Sequence, residues 1–338
     1  MNLRGVFNGI VLLQLLVSFT AFGQGSLTPP GAPAATMKTL DQIQPRKDVL
    51  KLGSDPYAQY VITQPGSYFL STNIVMVSGL RAIEIAANDV TLDLCGFTIF
   101  GNDRAAIFAG VPVSSVRVFN GHIVNAAGGG VEFYTFASGT NVVVEDMQIS
   151  GAGATFGYGI AAYEGGRISR CQINGFLGSS GGYGILGGDR TVVENCELQN
   201  NNIGMVLGNF SRVANCIIYK CTSFGMSIAD NSMVQNNQIS FCSQGIMCSG
   251  NNVVENNNCT FCAGPGLSVN NSYNRVENNQ VNFNQVGINA GGSSTNFIVR
   301  NTAHGNTNGN YNLGSSATGP TFIGVGVVTN HPWANFSY

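Results

Sequence analysis

Charge is the scarcest feature of this 338-residue chain, with only 9% of residues being Asp, Glu, Lys or Arg; an average globular protein has roughly 25%. The 15 basic and 17 acidic residues leave a net charge of -2, and no run of Lys or Arg interrupts the pattern. A nucleic-acid partner or an anionic membrane surface would need such a basic footprint, so neither is indicated. Histidine is almost as rare. His122, His304 and His331 are scattered, and the one Cys-x-x-Cys pair, Cys259 and Cys262, has no His beside it, so no metal site is expected. Long apolar runs are missing after the first two dozen residues, and no later segment is expected to span a bilayer. What the chain does have is 45 glycines and a density of asparagine from Asn195 onward. Both residue types are poor helix formers and suit a chain that turns often.

The opening residues read as an export signal. Arg4 gives a short positive start, Ile10 to Phe19 is apolar except for Gln14 and Ser18, and Ala21-Phe22-Gly23 offers small residues where a signal peptidase reads. Cleavage before Gln24 is expected, leaving the remainder outside the cytoplasm as a secreted, periplasmic or cell-surface protein. Gly25 to Ala35 is rich in Pro, Ala and Gly and reads as a linker, with a helical turn or two at Met37 to Ile43. The expected organisation is a signal peptide at 1–23, a linker and N-terminal cap at 24–45, a repeat body at 46–305 and a C-terminal cap or tail at 306–338.

A short pattern fixes the architecture of that body: an aliphatic residue, a variable one, a polar turn pair usually containing Asn or Cys, and another aliphatic residue. Copies include Val142-Val-Val-Glu-Asp-Met-Gln-Ile149, Val193-Glu-Asn-Cys-Glu-Leu198, Val234-Gln-Asn-Asn-Gln-Ile239 and Val276-Glu-Asn-Asn-Gln-Val281. Gly-aliphatic pairs keep the same beat at Gly159-Ile160, Gly184-Ile185, Gly204-Met205, Gly225-Met226, Gly245-Ile246, Gly266-Leu267 and Gly287-Ile288. A period near 21 built from short alternating stretches is one turn of a β-solenoid, whose single coils cannot bury their own apolar side. A leucine-rich repeat would show Leu-x-x-Leu-x-Leu, which is absent. The fold class is therefore all-β, a right-handed single-stranded parallel β-helix of about ten coils.

Asn120, Asn195, Asn215, Asn236, Asn256 and Asn278 hold one position per coil, with Asp146, Arg170 and Arg300 at the same place. Asn tolerates left-handed backbone angles and can bond along a stack, so these residues are read as structural. The cysteines share the register. Cys171, Cys196 and Cys216 occupy one column and Cys221, Cys242 and Cys262 another; parallel stacked side chains disfavour disulfides and suit buried free thiols.

The Val-x-Asn-Asn and Gly-Ile beat, opened by Val90-Thr-Leu-Asp-Leu-Cys-Gly-Phe97, resembles the pectate-lyase-like β-helix superfamily. Within it the chain is most similar to the NosD-like, carbohydrate-binding-and-sugar-hydrolase repeat group. The resemblance covers residues 60 to 305 and implies the fold, while the group's functions range from lyases, hydrolases and epimerases to adhesins. In the enzymes of the superfamily the sugar lies along an exposed sheet. By that resemblance the outward positions would be Ala161, Leu186, Val206, Ser227, Met247, Ser268 and Asn289. No carboxylate, Arg, Lys or His is among them, although cleavage of a glycosidic bond needs two placed carboxyl groups.

Other candidates lie at the next turn and in the longer early coils. Glu164, Asp189 and Asp230 each fall five residues after the coil's glycine, with Asn209 in the intervening coil; this is a sugar-contacting edge or a solvated turn. The same edge could contact calcium, and no cofactor is expected. Glu194, Glu255 and Glu277 recur on an outward strand position and read as solvated. Tyr134, Tyr158, Tyr163 and Tyr183 could pack against sugar rings or cover the core. The leading expectation is an exported protein that binds extracellular glycan along residues 131–190 without cleaving it. A polysaccharide lyase, hydrolase or epimerase drawing on Glu132, Glu164, Asp189 and Asp230 is the second reading, and a structural or adhesion surface the third. Oligomeric state is not legible.

Overall fold

The computed structural model describes residues 45–133, 140–153, 157–178, 181–292, 294–318, 320–324 and 329–338. Arg46–Tyr338 forms one compact unit. The signal peptide, the linker and the expected helical turn at Met37 to Ile43 lie outside the described residues. The Arg46–Tyr338 unit is a parallel β-solenoid of about 11 turns, one more than the sequence spacing suggested. Among the described residues it has two sheets, one of 24 strands and one of 12, and every strand pairing is parallel.

The period-two and period-21 patterns explain this arrangement together. Within a strand, alternate side chains point in and out. Between coils, the in-register neighbour supplies the same side chain one rung, ~4.8 Å, away. In the twelve-stranded sheet Ile160, Ile185, Met205, Met226, Ile246, Leu267 and Ile288 form one unbroken column, and each is fully buried. The column continues upward through Val131, Ile107 and Ile83. Opposing it in the 24-stranded sheet are a second column, Val144, Ile168, Val193, Val213, Val234, Val254, Val276 and Ile298, and a third ending at Val281 and Ala303. Each fully buried aliphatic side chain contributes about 1.5–3 kcal/mol.

The glycine beat has a steric cause. A Cβ on Gly245 would stand 2.2 Å from the Gly266 carbonyl oxygen, and one on Gly204 2.3 Å from that of Gly225. The next coil's backbone therefore runs where a side chain would be.

The asparagines divide two jobs that the sequence reading had given to one residue. Asn120, Asp146, Arg170, Asn195, Asn215, Asn236, Asn256, Asn278 and Arg300 all sit at φ between 54° and 60°, turning the corner in the left-handed region. The hydrogen-bonded ladder belongs to the following, buried residue instead. The amide N–H of Asn237 donates to Asn257 Oδ1 (3.1 Å), that of Asn257 to Asn279 Oδ1 (2.9 Å), that of Asn279 to Asn301 Oδ1 (2.9 Å) and that of Asn301 to Asn335 Oδ1 (2.9 Å). Two further buried ladders run through Asn252, Asn274 and Asn296 and through Asn284 and Asn306. Buried backbone donors that a flat sheet would leave unpaired at each corner are satisfied this way.

The thiols Cys171, Cys196 and Cys216 occupy the same column as Asn237 and are buried. All nine cysteines are free and only Cys95 is exposed. Glu194 and Glu277 are not simply solvated, as the sequence had suggested. Glu194 bridges Arg167 (3.7 Å) and Arg212 (3.1 Å), and Glu277, nearly buried, pairs with Arg275 and with Arg300 (2.7 Å). Glu255 accepts a hydrogen bond from Gln235. Beyond His304, the strand Asn335–Ser337 pairs with both Thr302–His304 and Thr321–Ile323.

Candidate functional site

The outer face of the twelve-stranded sheet carries a row of outward positions that the register defines residue by residue. It contains the expected Ala161, Leu186, Val206, Ser227, Met247, Ser268 and Asn289. Ala161 and Ser268 in that row are buried. The row also runs further toward the N-terminus than the Gly-aliphatic pairs had indicated. Ala161 pairs with Glu132, Glu132 with Phe108, and Phe108 with Glu84. The seven named positions carry no carboxylate, but one rung above them the face has a Glu, and two rungs further another.

Around these residues the side chains form one connected group. Arg81 Nη1 pairs with Glu84 Oε2 at 2.9 Å, and both side chains are largely buried. The Arg81 guanidinium lies 3.5 Å from the centroid of the Phe108 ring, close enough for a cation–π contact. Glu132 lies on the far side of Phe108 from Glu84, two rungs and therefore about 9–10 Å away along the ladder. Its carboxyl has no hydrogen-bond or ion-pair partner among the described residues. Burial pushes its carboxyl above the usual Glu range, and the Arg81 charge only partly opposes this. One glutamate is thus ion-paired and the other is held toward its neutral form, an asymmetry that suits one base and one acid.

Tyr158 and Tyr183 adjoin this group. They pair across neighbouring strands, are half-buried and stack with ring centroids 5.5 Å apart and planes 19° from parallel. By register they continue the row of Arg81, in which Ala105 and Gly129 are the small intervening residues.

The remaining sequence candidates lie elsewhere. Tyr163, Glu164 and Asp189 come together at the opposite end of the same strands, lining a recess of about 290 Å³ with Leu186, Gly187 and Gly188. Glu164 there is ion-paired to Arg190. Asp230 is not part of this recess; it lines another, of about 490 Å³, with Asn251, Asn271 and Tyr273. The acids at this edge also hold the turn. Asp189 Oδ1 accepts the amide N–H of Asn209 (2.7 Å), Asn209 Oδ1 that of Asp230 (3.1 Å), and Asp230 Oδ1 that of Gly250 (2.6 Å). Among the described residues no group of three or more His, Cys, Asp or Glu is placed to hold a metal ion. Tyr134 lies outside the described residues.

Arg81, Glu84 and Phe108 escaped the sequence reading for a simple reason. Their coils write the beat as Ala82-Ile83 and Ala106-Ile107 rather than Gly-Ile, and a search that accepted Ala for Gly would have extended the row to them.

No helix among the described residues is long and apolar enough to cross a membrane. No curated protein matches the chain. Among solved structures, the Dettilon tailspike protein is 17% identical over 80% of this chain and 60% of its own, with a TM-score of 0.44. The A-module of a mannuronan C-5 epimerase from Azotobacter vinelandii is 14% identical over 81% of this chain and 91% of its own, TM-score 0.49. A lacto-N-biosidase from Eubacterium ramulus is 11% identical over 81% and 62%, TM-score 0.43. The chain thus spans less than two thirds of the tailspike and of the biosidase. A family profile described as a right-handed beta helix region matches residues 157–252 and 181–325; the two spans together take in half of the sequence, and this chain belongs to the right-handed β-helix family.

Proposed function

We propose that the chain is exported and binds an extracellular glycan on the outer face of the twelve-stranded sheet, between Arg81 and Tyr183. The observation that carries this reading is the stacked, half-buried Tyr158–Tyr183 pair beside the Arg81, Glu84 and Glu132 group. Aromatic rings pack against the apolar faces of sugars, and flanking charged groups take the hydroxyls or carboxylates. The site is a shallow face running along the stack, a shape that suits a polymer better than a small enclosed ligand. In this reading Tyr163, Glu164 and Asp189 offer an outer contact at the far edge of the same strands, and Asp230 belongs to the turn.

The test is a binding screen of the purified protein on extracellular polysaccharides, with new reducing or unsaturated ends recorded in the same wells. Binding is expected, and replacing Tyr158 and Tyr183 by Ala should weaken it about tenfold. Affinity unchanged in that double variant overturns the proposal.

Glu132 favours a second reading, in which the glycan is also hydrolysed. A carboxyl whose pKa burial raises can pass its proton to a glycosidic oxygen as the bond to the anomeric carbon breaks. Water then adds to that carbon and gives its proton to the Arg81-paired Glu84. New reducing ends that disappear by about a hundredfold or more in Glu132→Gln would establish this reading. Binding without new ends would leave the protein a lectin-like binder.

A further inference from the structure

A second surface, on the 24-stranded sheet and remote in the register from the tyrosine pair, is lined entirely by carboxamides. Asn236, Gln238, Asn256, Asn258, Asn278 and Gln280 surround a trough of about 370 Å³, with the buried Asn237 and Asn257 at its base. The six outer amides are exposed and make no side-chain hydrogen bond among the described residues. The buried amides just beneath them are engaged through Oδ1 and Nδ2 alike. No charged residue lines the trough, and Glu255 and Glu277, one row away, are already engaged by Gln235 and by Arg275 and Arg300.

Backbone geometry accounts for only half of these residues. Asn236, Asn256 and Asn278 turn the corner at φ of 57°, 57° and 55°, where Asn is favoured. Gln238, Asn258 and Gln280 stand on ordinary strand backbone in one register row, where Thr, Val or a charged residue would serve the fold equally well. The far border of the same strands is a ridge of phenylalanines. Phe241, Phe261 and Phe283 stack at 5.1 and 5.2 Å, within 15° of parallel, and about half of each ring stays exposed at 50%, 50% and 48%. All three adopt positive φ, 57° to 58°, at a corner that neighbouring coils turn with Asn200, Lys220 or Gly305. Between trough and ridge, Asn282 Oδ1 is buried with no hydrogen-bond partner.

We infer that this face binds a neutral polysaccharide chain lying along the solenoid axis. Each carboxamide offers one acceptor and two donors, the complement of sugar hydroxyls, which both give and accept. The amide pairs repeat at every rung, ~4.8 Å, so successive rings of an extended chain meet the same contacts. The phenylalanine edges supply an apolar rim for the ring C–H groups. An anionic chain would call for Arg or Lys in the lining, and there is none. This surface goes beyond the site proposed above and does not depend on it.

The experiment titrates unglycosylated protein, made in a bacterial host, with cellohexaose, mannohexaose and an oligogalacturonate of equal length by calorimetry. It compares the wild type with a triple variant, Gln238→Ala, Asn258→Ala and Gln280→Ala, and with the double variant Tyr158→Ala, Tyr183→Ala. The triple variant leaves the positive-φ corner intact, and its thermal midpoint should match the wild type. At least one neutral hexasaccharide should bind, with affinity falling roughly tenfold or more in the triple variant and unchanged in the tyrosine variant. Binding lost only in the tyrosine variant would support the first site and overturn this one. No binding of either neutral sugar, or equal affinity in a folded triple variant, would also overturn it.

Discussion

Glu132 and Cys95 are two side chains whose surroundings alter chemistry that can be tested. Burial raises the Glu132 carboxyl above its ordinary value, so the folded protein holds that proton more tightly than the unfolded chain does. Between the unfolded and the folded pKa, stability then falls as pH rises, and above the folded value the loss is constant. Glu132→Gln removes the ionisation. Its thermal midpoint should therefore equal that of the wild type near pH 4 and exceed it by a margin that grows toward neutrality. A margin independent of pH would show that the carboxyl is not perturbed. For the thiols, burial pushes Cys248 and Cys262 up to about 12, whereas Cys95 is the one exposed cysteine. A disulfide reagent should label a single thiol in the native protein and all nine after unfolding. Cys95→Ser should abolish the native labelling. Desolvation and the Asp93 charge raise the Cys95 thiol too, so its labelling should accelerate as pH is raised above neutrality.

A coil is stable only through its neighbours, so a change that alters rung spacing should do more harm than one that alters a surface group. Gly245→Ala would put a Cβ 2.2 Å from the Gly266 carbonyl oxygen, a backbone atom that cannot swing away. We expect a loss of about 2 kcal/mol or more, against less than about 0.5 kcal/mol for Gln238→Ala on the exposed row, both read from urea unfolding. Such contrasts explain what the sequence made legible. The inward columns and the corners at Asn195 or Asn256 repeat because each coil meets the same steric surroundings, so periodicity alone exposes them. The division between a corner Asn and the laddering Asn after it, as in Asn256 and Asn257, was hidden because the two are adjacent and identical. The outward row was harder still: solvent imposes no period on it, and its informative members, Glu84, Phe108 and Glu132, do not repeat from rung to rung. Two of the early coils also carry Ala, at Ala82 and Ala106, where the later ones keep Gly. Glu164, Asp189 and Asp230 share one place in the repeat, but the acceptance of backbone N–H groups by Asp189 and Asp230 depends on geometry that composition cannot give.

At the scale of the whole molecule the solenoid has two ends, and the last coil's treatment can be tested. The strand Asn335–Ser337 closes the 24-stranded sheet over Thr302–His304, and Asn335, itself fully buried, accepts the Asn301 amide N–H that would otherwise face the end of the stack. Asn335 Nδ2 also donates to the Ile298 carbonyl (3.0 Å), so one residue continues the ladder that began at Asn237. The Tyr311 hydroxyl lies between the Asn301 and Phe336 carbonyl oxygens (2.8 and 2.9 Å) and its one proton can go to either, tying the closing strand to the coil beneath. We propose that residues 306–338 act as a cap. Removing them should expose the backbone groups of Thr302–His304 and the open ends of the Asn237 and Asn284 ladders, an edge ready to pair with another chain. The shortened protein should associate in a concentration-dependent way and melt at lower temperature, measured by light scattering after size exclusion and by thermal unfolding. Asn335→Ala in the full chain is the finer probe. It keeps the closing strand and removes one acceptor and one donor from a dry ladder, so it should destabilise by about 1–3 kcal/mol without association. A shortened chain that stays monomeric with an unchanged midpoint would show that the final coil needs no cover, and the ladder's last rung would then be ornamental to folding.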